Sequence, residues 1–251
     1  MTIVAAPPRK MGFLASIFRR ESAEIFTARK DFETVRNDLN KIHLRLFSSQ
    51  KLLLKILEIV AAFGEKTKLG KFLYEIDSSY KFAVSVNIRV AKVTKEVNGA
   101  VMIDNKILGE IRASVLEFKK LKPSQSEQNI LRSEELDAVH EITTIDHLYK
   151  EISEFNREMN QLIKQLDDAY GLLAALTPTS NVFSPADKKR GKIIANTLHN
   201  ILCGLKETHS LFHESLAELL KIKALYTEFK RYDEGMIKKN SLSHGALYLT
   251  K

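Results

Sequence analysis

The chain has a single cysteine, Cys203, no tryptophan, five prolines and ten glycines in 251 residues. One cysteine excludes an intramolecular disulfide and with it the stapled, loop-rich folds of small secreted domains. So few helix breakers leave room for long uninterrupted helices. No apolar run approaches the roughly 18 residues a membrane-spanning helix needs. The best stretch, residues 52–63, is short and carries Lys55 and Glu58. The opening lacks the order of a signal peptide, because its apolar residues Ile3–Ala6 precede the charges. Also missing are a glycine-rich phosphate loop, a Gly-x-Ser-x-Gly elbow and a His-Glu-x-x-His pair. These absences point to a cytoplasmic, non-enzymatic protein with no cofactor and no small-molecule substrate. Peripheral contact with a membrane, or export without a classical signal peptide, stays open.

What is present is periodic. Apolar residues recur at alternating steps of three and four: Phe32, Val35, Leu39, Ile42, Leu46, Leu53, Ile56, Val60 and Phe63, with Ser49 filling the one gap. Such spacing keeps one seam of a helix against a partner helix. The same pattern runs from Ile145 through Leu148, Ile152, Phe155, Met159, Leu162, Leu166, Ala169 and Leu173 to Leu176. A third stretch follows Ile194, Leu198, Ile201, Leu205, Thr208, Phe212, Ser215, Leu219, Ile222, Tyr226 and Phe229. Between them a looser seam reads Leu69, Leu73, Ile76, Tyr80, Ala83, Val90 and Val97, leaving Phe82, Val86 and Val93 off the seam.

Punctuation divides the pattern into four. Gly64 and the polar residues after it make a turn, residues 122–126 (KPSQS) a linker, and residues 177–185 (TPTSNVFSP) a loop. Ser184 before Pro185 is a helix start, with a hydroxyl cap and a proline at the first helical position. The expected fold is all-α: an elongated antiparallel four-helix bundle of long heptad-patterned helices over about 9–63, 66–121, 127–176 and 185–233. Residues 1–20 form a basic amphipathic segment, 21–233 the bundle, and 234–251 a flexible polar tail. Asn98-Gly99, within a β-branched stretch, predicts a kink or short break in the second helix.

Charge is uneven. The net +8 splits into −7 between Glu127 and Asp168 and +15 elsewhere. One acidic helix in a basic chain implies internal complementarity, with other surfaces free to meet anions. The candidate contact residues lie at the N-terminus and at the start of the last helix. Arg9, Lys10, Arg19 and Arg20 flank Phe13, Leu14, Ile17 and Phe18, the composition of an interfacial anchor, although Leu14 and Phe18 equally extend the first seam. Lys188, Lys189, Arg190 and Lys192 form the second cluster, sharing a bundle end with Lys66, Lys68 and Lys71 if the topology holds. The expected partners are another protein or a second copy, with anionic lipid at the basic segments. No nucleic-acid-binding motif appears, which argues against that class.

His209 and His213 share a helix face, as do His199 and Cys203, but no Glu-x-x-His occurs, so no metal site is expected. Cys203, between Ile201 and Leu205, reads as an inert packed thiol. Ser49, Thr208 and Ser215 read as polar interruptions that set register. The off-seam Phe47, Leu54 and Leu57 in the first helix and Phe82, Val86 and Val93 in the second become the discriminators of a partner surface: buried, they close the bundle; exposed, they await a partner.

Overall fold

The computed structural model describes the backbone of residues 9–64, 69–118, 126–179 and 183–248, and the side chains of 26–64, 69–102, 140–175, 183–228 and 231. Four helices account for nearly all of it: α1 (Arg9–Ala61), α2 (Gly70–Phe118), α3 (Ser126–Thr179) and α4 (Pro185–Tyr248). No strand occurs among the described residues, and α1 packs on α2 and α4 and α3 on α4, an all-α four-helix bundle. The residues divide into two compact units to which every helix contributes. The first holds Met1–Thr34, Val97–Tyr149 and Glu218–Lys251; the second holds Val35–Glu96 and Lys150–Ala217.

In the second unit the seams are buried as their spacing requires. Leu39, Ile42, Leu46, Leu53, Ile56 and Val60 of α1 meet no solvent. Neither do Ile152, Phe155, Met159 and Leu162 of α3, nor Leu198, Leu205 and Phe212 of α4. Each such side chain is worth about 1.5–3 kcal/mol relative to exposure. Phe155 and Phe212 meet across α3 and α4 at 6.0 Å between ring centroids. Short connections at both ends of the helix pairs require antiparallel neighbours. In the first unit, Ala28 and Phe32 of α1, Ile145 and Leu148 of α3, and Leu219, Ile222 and Tyr226 of α4 are buried in the same way.

The seam of α2 differs from the expected one. Leu69, Phe72, Ile76, Ser79, Ala83, Val86, Val90, Val93, Val97 and Ala100 are buried at strict steps of three and four. Leu73 and Tyr80 are only half-buried neighbours of the seam. Paired apolar residues at 72–73 and a serine in the seam at 79 hide this register in the sequence. Nor does α2 break at Gly99: its helix is continuous and no described residue adopts a positive φ. Burial of Val86, Val90, Val93 and Val97 outweighs the low propensity of β-branched residues, as tertiary packing commonly does. The last helix is also longer than expected. Its backbone stays helical to Tyr248, through the residues assigned to a loose tail. Ala, Leu, Met and Lys in that stretch favour helix, and no proline interrupts it.

One cation organises the contact between α2 and α3 in the second unit. The Arg89 guanidinium lies 2.6 Å from Glu158, 3.2 Å from Glu154 and 3.6 Å from Glu151. It also sits 4.8 Å from the centroid of the Phe155 ring. Burial works against its charge, but the Glu158 hydrogen bond and the three carboxylates hold its pKa above the ordinary arginine value. The acidity of α3 is thus partly spent inside the protein.

Substitutions at two positions test these assignments. A Cβ at Gly99 meets nothing within 4 Å, so Gly99→Ala raises stability by about 0.5–1 kcal/mol in a denaturant titration. A kinked helix at that position would instead lose stability. Arg89→Ala leaves three clustered carboxylates without their cation and costs on the order of 2 kcal/mol by the same measurement. Arg89→Lys, which keeps the charge but not the fork, falls between.

Candidate functional site

The basic cluster at the start of α4 is built on a capped helix end in the second unit. Helix α1 closes with two tight bonds, Ala62 N–H to the Ile59 carbonyl and Phe63 N–H to the Val60 carbonyl. That turn packs on the segment before α4, where the Phe63 and Phe183 rings meet edge to face at 6.0 Å. Ser184 caps α4 as its sequence position implies: its Oγ accepts from the Asp187 N–H at 3.1 Å. The hydroxyl in turn donates to Asp187 Oδ2 at 3.0 Å.

Asp187 is the residue that sequence reasoning missed. It is buried, binds Arg190 at 2.8 Å and accepts a backbone hydrogen bond from Gly64. The signal was there in Ser184-x-x-Asp187, an acidic residue three places after a cap. The Arg190 hydrogen bond, with those of Ser184 and Gly64, holds its carboxyl below the usual 3.8 despite burial.

Of the four expected contact residues here, Arg190 is therefore committed to Asp187. Lys188, Lys189 and Lys192 are exposed, with no carboxylate partner among the described residues. Lys71, near the start of α2, is also exposed. Because the Phe63–Phe183 contact joins the two connections, these lysines share one end of the second unit, as the topology implied. Lys66 and Lys68 lie outside the described residues. At the N-terminus, α1 begins at Arg9, so Arg9–Arg20 is helical backbone continuous with the first seam. The side chains of Arg9, Lys10, Phe13, Leu14, Ile17, Phe18, Arg19 and Arg20 lie outside the described residues.

The remaining candidates separate. His209 is half-buried against His213 at 4.7 Å between ring centroids, and His213 shares a 3.2 Å hydrogen bond with Asn156. Burial, then the charge of His213, lowers the His209 pKa. No group of three or more His, Cys, Asp or Glu is placed to hold a metal among the described residues. Cys203 is not packed but exposed, its Sγ 3.7 Å from His199 Nε2, because it falls two residues from both Ile201 and Leu205 of the seam. Leu57 is half-buried, whereas Phe47 and Leu54 are exposed, and Leu44 beside them is more so. No described helix is long and apolar enough to cross a membrane. Comparison with protein-family models, curated proteins and solved structures finds no match.

The capped end makes a pH prediction. A carboxyl whose folded pKa lies below its unfolded value adds stability that is complete above the unfolded value and lost as pH falls through the folded one. Asp187→Asn should therefore melt below the parent at neutral pH. The gap between the two melting temperatures should close as pH drops below about 3.8. A constant gap from neutral pH to acid would show that ionisation of Asp187 contributes nothing.

Proposed function

We propose that this chain is a non-enzymatic helical scaffold that meets anionic membrane surfaces peripherally, through its basic N-terminal segment and the basic end of the second unit. The observation that carries the reading is the run of exposed lysines at 188, 189 and 192 in the first two turns of α4. The helix dipole gives cations near a helix N-terminus no stabilisation. Helix-end stability therefore does not account for these lysines. Attraction to a layer of anionic headgroups does, at about 1 kcal/mol per cation near the surface.

A second reading, a protein-binding bundle with no membrane role, is favoured by a different observation: the solvent-facing apolar residues Leu44, Phe47 and Leu54 of α1. Four helices that already fill their own seams have no internal use for them.

Co-sedimentation with phosphatidylserine-containing vesicles tests the first reading. The full chain should bind these vesicles and not phosphatidylcholine alone, with binding falling as salt shortens the Debye length. Removing residues 1–20 and reversing Lys188, Lys189 and Lys192 to Glu should each weaken binding, and together abolish it. Undiminished binding by the combined variant would overturn the membrane reading.

A further inference from the structure

Helix α1 carries a second heptad row that its own bundle leaves uncovered. With the buried seam at heptad positions a and d (Leu46 and Ser49, then Leu53 and Ile56), the row Asn40, Leu44, Phe47, Lys51, Leu54, Glu58 occupies positions b and f. It advances by the same alternating steps of four and three, on the side of the helix farthest from the core. All six residues are exposed, and the three apolar ones strongly: Leu44 by 64%, Phe47 by 47% and Leu54 by 41%. Positions b and f of a self-sufficient bundle are ordinarily polar, so this row is not explained by the fold that presents it.

The surroundings of the row specify what covers it. The Lys51 amine rests 4.5 Å above the Phe47 ring centroid. Lys41 and Lys55 stand along one flank, both exposed, and neither Lys51 nor Lys55 has a carboxylate partner among the described residues. Lys41 binds the buried Asp38 of its own turn. The one carboxylate in the row is Glu58, at its end. The face is thus an apolar line with cations in it and beside it. A second copy fits poorly: antiparallel pairing about the row's centre satisfies the seam but sets Lys41 against Lys55 of the other chain. A bilayer fits poorly too. The apolar line is one residue wide and interrupted by Lys51, whereas interfacial helices bury a broad stripe.

We infer that this face of α1 docks one amphipathic helix of a partner protein, with apolar residues at its a and d positions and Glu or Asp beside them. Leu44, Phe47 and Leu54 supply the knobs, and Lys51 and Lys55 pair with the partner's carboxylates. Asn40 and Lys51, polar residues within the seam, select register and orientation. The inference rests on the protein-binding reading and is independent of the membrane one.

The test uses the full-length chain and a labelled three-heptad peptide with Leu at a and d and Glu at e and g, followed by fluorescence anisotropy. A peptide with Lys in place of every Glu is the control. The acidic peptide should bind saturably and more weakly with added salt, and the basic one should not bind. Phe47→Ser and the milder Leu44→Gln should each weaken binding about tenfold, with unchanged circular dichroism and melting temperature. Lys51→Glu with Lys55→Glu should reverse the peptide preference. No saturable binding, or equal binding of both peptides, overturns the proposal. Binding untouched by all row variants overturns this face while leaving the protein-binding reading in place. Two results would assign the face elsewhere: dimerisation in sedimentation equilibrium that Phe47→Ser abolishes, giving it to a second copy, and loss of vesicle binding without loss of peptide binding, giving it to lipid.

Discussion

Everything else in this protein depends on burial of one apolar side chain every three or four residues along each helix. Long helices with mixed surfaces are marginal alone, and most of their stability comes from packing one face. The seams of α1, α3 and α4 are therefore the condition on which those helices persist. Once they are committed inward, every other position on each helix has its exposure decided. The lysines at the start of α4 and the outer row of α1 follow from this.

Charge is distributed by the same constraint. Glu151, Glu154 and Glu158 lie beside the α3 seam, close enough to α2 for one guanidinium to reach all three. Asp187 is likewise consumed, tying Arg190 and the turn after α1 to the cap of α4. These contacts engage three of the acids of α3 and the one acid at the start of α4. What remains outside is weighted towards lysine.

Much of the fold was legible because periodicity is a property of the chain. The seams of α1, α3 and α4 could be read residue by residue, and their described positions are buried, polar interruptions at Ser49, Thr208 and Ser215 included, while Leu176 and Phe229 lie outside the described side chains. The register of α2 was not legible in the same way. Apolar residues on consecutive positions, Phe72 and Leu73, offer two seams of similar merit, and Ser79 in the true seam argued for Tyr80 instead. Gly99 carried a turn signal that four buried valines outweighed. Cys203 sat in an apolar stretch, yet two residues of offset from both Ile201 and Leu205 turned it out to solvent.

For the candidate surfaces the balance tips the other way. The sequence determined the composition of each: which lysines cluster at the start of α4, and that Phe47 and Leu54 fall off the α1 seam. Composition and spacing are local, so they survive in one dimension. Tertiary structure decided which of those groups are spent. Arg190 pairs one turn back with Asp187, which the turn after α1 helps to bury, whereas Lys188, Lys189 and Lys192 have no carboxylate partner among the described residues. Val86 and Val93 are core and Leu44 and Phe47 are surface, because two helices rather than one set the register of each seam. Exposure and pairing belong to the space between helices, and only packing creates that space.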